Sequence, residues 1–127
     1  MEFKVFDSSH KDALMGMLKE RSMAQQLVDD LPKHGVVIYK SGTPVGALFL
    51  RLVEGNYGIL DSFITNPKSD AEDRSEAIEK GFEQLLELSK NLNIKRLLTF
   101  SEEDSLVRRA KHVGFTFLPM NLGIRDV

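Results

Sequence analysis

Apolar and polar residues alternate from the first positions: Glu2-Phe3-Lys4-Val5-Phe6 carries the period of two of a half-buried strand. The period then lengthens. Ser9 with Asp12 three residues on reads as a capping box, and Leu14, Met17 and Leu18 follow as a helical stripe. A second stripe, Met23, Ala24, Leu27, Val28 and Leu31, ends at Pro32. The polar run Lys19-Glu20-Arg21-Ser22 separates the two, giving one bent helix or two short ones.

Three strands follow. Val36–Tyr39 is β-branched and aromatic, Val45–Val53 is apolar along most of its length, and Tyr57–Thr65 comes last. The second is long enough and apolar enough to be covered on both faces. Short turns at 40–44 and 54–56 join them, which predicts antiparallel neighbours. After Pro67, a polar loop leads to an amphipathic helix over 69–93, with Ile78, Phe82, Leu85, Leu86, Ser89 and Leu92 on one face. Lys95–Phe100 is the next strand, and a right-handed crossover sets it parallel to the previous one. A shorter helix starts at Ser101 or Asp104, turns Leu106, Val107, Ala110 and Val113 inward, and ends at Gly114. Phe115–Leu118 reads as a strand, and Asn121–Arg125 as a last edge strand beyond Pro119. The order is β-α-α-β-β-β-α-β-α-β-(β), an α/β fold with one mixed sheet, helices on both faces, and a single domain over 1–127.

Composition narrows the function classes. A net charge of −2 argues against a nucleic-acid binder or an anionic-membrane binder. There is no cysteine, so disulfides, thiolate catalysis and cysteine-ligated zinc are excluded. The start of the chain lacks the long apolar run of a signal peptide, and no segment has the apolar length of a membrane span; both point to the cytoplasm. His10, His34 and His112 lack metal-ligand spacing and read as surface residues. No Walker loop, Gly-x-Gly-x-x-Gly or Gly-x-Ser-x-Gly is present, which sets aside nucleotide hydrolases, dinucleotide dehydrogenases and α/β hydrolases.

The most specific feature is the strand that ends at Pro67 and faces the N-terminus of a helix, a place where backbone amides hold anions. Either Asp73 or Ser69 caps that helix. An Asp73 cap leaves the amides of Ser75, Glu76 and Ala77 open. A Ser69 cap buries Arg74 in the helix and moves the anion site to Lys68–Asp70. The acids Asp70, Glu72, Asp73 and Glu76 complement the helix dipole in either case.

With Gly42-Thr43-Pro44-Val45-Gly46 opening one strand, Phe63-Ile64-Thr65-Asn66-Pro67 closing the next, and Gly114-Phe115 after a short helix, the chain resembles the GNAT superfamily of acyl-CoA N-acyltransferases along its whole length. The resemblance implies acetyl-CoA as co-substrate, no metal, and a small-molecule or protein amine as acceptor. The family's phosphate loop, Arg/Gln-x-x-Gly-x-Gly/Ala, is matched by Arg74-Ser75-Glu76-Ala77-Ile78-Glu79. Ala77 and Glu79 stand in place of the small residues. It therefore implies cofactor binding at Phe63, Ile64, Thr65, Arg74, Ser75, Glu76, Ala77 and Ile78.

The resemblance also implies that the two central parallel strands splay to admit the pantetheine arm. Asp61 stands where many members carry a carboxylate base. The family's usual tyrosine acid is replaced by Ala110, and an asparagine of the last helix by Glu103, so Ser105 or water is left as proton donor. The basic cluster Arg108, Arg109, Lys111 and His112 suits a helix C-terminus, or a CoA phosphate. The final edge strand offers a pairing site for a homodimer. A second reading competes: a degenerate GNAT-fold protein without catalysis, acting as a binding or interaction module.

Overall fold

The computed structural model describes residues 1–19, 30–101, 104–121, 123, 125 and 126, without the side chain of Ser62. Its elements are β1 (Glu2–Val5), a one-turn 3-10 helix (Ser8–His10), α1 (Lys11–Lys19), β2 (His34–Lys40), β3 (Thr43–Val53), β4 (Tyr57–Thr65), α2 (Ala71–Asn91), β5 (Arg96–Thr99) and α3 (Asp104–His112). The sheet runs β1-β2-β3-β4-β5. β1 to β4 are antiparallel neighbours, and β5 joins β4 in parallel. The second stripe expected at Met23–Val28 lies outside the described residues. Among the described residues no helix is long and apolar enough to cross a membrane.

The sheet is covered on both faces, as the apolar run of β3 requires. On one face Val36, Ile38, Leu48, Leu50 and Leu60 pack against Ala77, Phe82 and Leu85 of α2. On the other, Val37, Ala47, Phe49 and Ile64 pack against Leu14, Met17 and Leu18 of α1. Gly81 lets α2 lie close to the sheet: a Cβ there would stand 2.8 Å from Leu48 Cδ1 and 2.9 Å from Ile38 Cδ1.

One irregularity in the sheet positions the site. Leu50 pairs with Leu60 and Leu48 with Phe63, so Asp61 and Ser62 of β4 stand opposite Phe49 alone. This bulge puts an extra residue into β4 and turns the strand as it leaves β5. It also explains how Leu60 and Phe63, three apart, both face the α2 layer while Ile64 faces the α1 layer.

Three local expectations change. The first helical turn is capped by Asp7, not Ser9: Asp7 accepts from the Ser9 amide at 2.8 Å, and its own amide donates to His10 Nδ1 at 3.1 Å. The chain turns earlier because the Ser9 hydroxyl folds back onto the Asp7 carboxylate, which these bonds hold below the usual aspartate range. Helix α2 is capped by Asp70, three residues before Asp73. Phe115–Leu118 forms no strand ladder among the described residues. Its first side chain turns inward instead, with Phe115 and Phe82 ring centroids 5.7 Å apart. The edge strand expected at Asn121–Arg125 falls partly outside the described residues.

Candidate active site

The β4–β5 ladder ends at the pair Leu60↔Thr99, while β4 runs on to Thr65. The two parallel strands therefore part, and a cavity of about 610 Å³ lies between β4, α2, the end of β5 and α3. Leu60, Phe63, Ile78, Phe82, Val113 and Phe115 give it an apolar lining; Ser75, Ser105, Arg108, Arg109 and His112 give it polar groups.

This cavity brings together five of the residues singled out in the sequence: Asp61, Phe63, Ser75, Ile78 and Ser105. Ile64 is buried on the opposite face of the sheet against α1. Thr65, at the end of β4, pairs with Gly46. Ala77 is wholly buried in the core beneath α2. Glu76 accepts from Lys80 Nζ at 2.6 Å, which holds its carboxyl below the ordinary glutamate value.

The start of α2 differs from an Asp73-capped helix in one consequential way. With Asp70 as cap, the Arg74 amide already donates to the Asp70 carbonyl at 3.0 Å. The amides of Ser75, Glu76, Ala77 and Ile78 therefore lie within the helical ladder, and the open ones belong to Ala71, Glu72 and Asp73. Arg74 sits inside the helix, its guanidinium turned back to the carbonyls of Pro67 and Ser69. This is the upstream arrangement, in which the open amides lie nearer Lys68–Asp70. Asp73 accepts from Lys40 Nζ at 2.8 Å, and the carboxylate raises the Lys40 pKa.

Asn66 organises the loop that leads there, a role its sequence context did not flag. Its side chain donates to the Pro44 carbonyl at 2.9 Å and accepts from the Lys68 amide at 3.0 Å. The side-chain bond to an amide two residues on is the turn chemistry that asparagine favours.

Asp61 has a partner that the sequence reading missed, Arg51 of β3. Its guanidinium lies 2.8 Å from Asp61 Oδ2 and also donates to the Asp30 carbonyl at 3.3 Å. The signal was available in the hairpin. Arg51 pairs with Ile59, so Asp61 is its diagonal neighbour on the same face. Alternation along β3 sets both on the α1 side of the sheet, opposite the α2 layer that lines the cavity. Asp61 thus stands at the opening between the two faces.

On α3, Ser105, Arg108, Arg109 and His112 follow helical spacing and all line the cavity, whereas Lys111 does not. Arg109 Nη1 donates to Ser75 Oγ at 3.2 Å, bridging the two helices. Glu103, at the position of the family's asparagine, lies outside the described residues. Among the described residues no group of three or more histidines, aspartates or glutamates is arranged to hold a metal ion.

No protein-family model and no curated protein sequence matches the chain. Solved structures do. The aminoglycoside N-acetyltransferase AAC(6')-Iy, in complex with a CoA-based bisubstrate analogue, superposes with a TM-score of 0.73 at 11% identity, covering 99% of this chain and 97% of that one. A protein of Thermus thermophilus gives 0.72 at 16% identity over 100% and 98% of the two chains. A GNAT family acetyltransferase of Streptococcus pneumoniae gives 0.71 at 12% identity, over 98% of each chain. At these identities the likeness is one of fold, and the chain has the GNAT fold.

Proposed function

We propose that this chain is a divergent member of the GNAT superfamily, an N-acetyltransferase that moves an acetyl group from acetyl-CoA to a primary amine by direct attack. The observation that carries the reading is the parting of β4 and β5 after Leu60↔Thr99, opening onto an apolar cavity with a cationic rim. That shape suits a thin, mostly apolar arm ending in phosphates. The fold likeness to acetyltransferases, one of them complexed with a CoA-based analogue, supports the same reading.

The residues fit an acyl-CoA in the cleft. The stretch of β4 around Phe63, Ile64 and Thr65 offers backbone groups beside the gap, and the α2–α3 cavity offers room and positive charge. Bound there, the co-substrate supplies an activated thioester. The chain's own work is positioning and proton handling. Asp61, held by Arg51 on the side away from the cavity, receives the ammonium of the acceptor and takes its proton. Ser105, at the start of α3 and on the cavity wall, offers a hydroxyl for the general-acid role. No protein nucleophile is required.

The second reading, a fold-mate that binds without catalysis, draws on a specific observation. The first turn of α2 carries Asp70, Glu72 and Asp73 around its open amides, and no glycine lets a phosphate approach closely. A thermal-shift titration with acetyl-CoA separates the two. The enzyme reading expects stabilisation that grows with ligand, up to a few kcal/mol at concentrations far above Kd. No shift at millimolar acetyl-CoA defeats it and leaves the interaction module.

A further inference from the structure

The cations of α3 do more than complement a helix end. Arg108, Arg109 and His112 fall at i, i+1 and i+4 and line the cavity, while Lys111 of the same helix does not. The helix dipole favours the last-turn cations Arg109, Lys111 and His112 alike; only the cavity sets Arg108, Arg109 and His112 apart from Lys111. Among the described residues Arg108 has no carboxylate partner, and Arg109 is held only by the Ser75 hydroxyl, a neutral acceptor that an anion can replace. Two carboxylates also line the cavity, Glu79 of α2 and Asp61 of β4, and Asp61 is already paired with Arg51. The α3 wall is therefore its positive side. At the start of α2 the opposite holds: Asp70, Glu72 and Asp73 flank the open amides, Lys40 is paired with Asp73, and Arg74 is turned back to the Pro67 and Ser69 carbonyls.

We propose that Arg108, Arg109 and His112 form the phosphate-binding end of this cavity, replacing the helix-start amides as the main anchor of the ligand. The ligand class is an apolar chain ending in phosphates, with Ser75 helping to orient Arg109. This inference rests on the acyl-CoA reading and names which residues of this chain hold the charged end.

Calorimetric titration with CoA and with pantetheine, which lacks the phosphates, tests it. Replacing Arg108 and Arg109 together by alanine should weaken CoA binding by about 10- to 100-fold, the range for losing hydrogen bonds to a charged group. Pantetheine binding should be unchanged in the same variant. Lys111→Ala should bind CoA like the parent protein. All three side chains are exposed, so the melting temperature of each variant confirms that it folds. If the parent binds CoA and the double variant binds it equally well, the proposal is overturned while the acyl-CoA reading stands. Equal losses of CoA and pantetheine overturn it too, since they mean damaged packing. If the parent binds no CoA, both fall together.

Discussion

Arg51 reaches Asp61 through both Nε and Nη2, each 2.8 Å from the same carboxylate oxygen, Oδ2. One half of the carboxylate is thus fixed to the sheet, and the other half, Oδ1, has no donor among the described residues. A group that must accept a proton from an incoming amine benefits from that division, because its position is set before the acceptor arrives.

Asp61→Asn keeps the shape and removes the base. Turnover is expected to fall by roughly 100- to 10,000-fold, the usual contribution of a general base, with CoA affinity unchanged. Arg51→Lys keeps the charge but loses the two-donor fork, so its turnover should fall by less. Steady-state kinetics beside a CoA titration read both. Parallel loss of turnover and affinity in Asp61→Asn would make the carboxylate a structural group.

Ala77→Gly restores the residue that the family's loop carries at this place. Here it should do harm without benefit. Ala77 is wholly buried against the sheet, and its amide belongs to the helix. Chemical denaturation should show a loss of about 1 kcal/mol from helix propensity alone. CoA affinity should not rise; a gain would mean that α2 unwinds to receive the phosphates.

Gly46→Ala and Gly35→Ala test how tightly the strands around the site are fitted. A Cβ on Gly46 would lie 2.9 Å from the Ile64 carbonyl oxygen, on the stretch of β4 that borders the cleft. One on Gly35 would lie 2.6 Å from Phe49 Cδ1 and 2.8 Å from the Leu48 carbonyl oxygen. Each should destabilise by about 1–3 kcal/mol, as overpacking does. Only Gly46→Ala should also weaken CoA binding, since only it displaces the cleft.

The Lys40–Asp73 pair gives stability a signature at alkaline pH. Hydrogen bonding to Asp73 raises Lys40 above its ordinary 10.5. The pair's stabilisation is therefore fully present below 10.5 and is lost as pH rises through the higher folded value. Lys40→Met should melt slightly below the parent at neutral pH, and the gap should close at strongly alkaline pH. The lysine is exposed, so added salt should shrink the gap as well. A gap that persists at high pH would assign the effect to packing of the lysine stem.

Periodicity carried the architecture. The alternation of β1, the doubly buried run of β3, the short hairpins and the long amphipathic α2 were all visible, because burial on a face forces a repeat that the chain itself displays. Phe115–Leu118 misled for the same reason: alternating apolar residues satisfy a strand pattern, yet Phe115 meets Phe82 without a ladder. The cap of α2 was ambiguous because Ser69, Asp70 and Asp73 all have capping chemistry and lie close together in the chain. The cavity drew Asp61, Phe63, Ser75, Ile78 and Ser105 together from separate elements, and their sequence positions marked them. The cavity-facing members of the α3 basic cluster could not be told from Lys111. Their meaning depends on which strand end stops first, and that is a property of the assembled sheet.

The extra residue at Asp61–Ser62 inverts the parity of β4. Before it, even-numbered side chains such as Leu60 look toward α2; after it, the odd-numbered Phe63 does, and Ile64 looks toward α1. The strand thus has two reading frames joined at one point. Were the two strands to pair one to one through this spot, without the bulge, the phenylalanine would swing away from the cavity wall and the isoleucine out of its packing, with every amino acid unchanged. Strand register at this spot is as much a part of the site as any side chain in it.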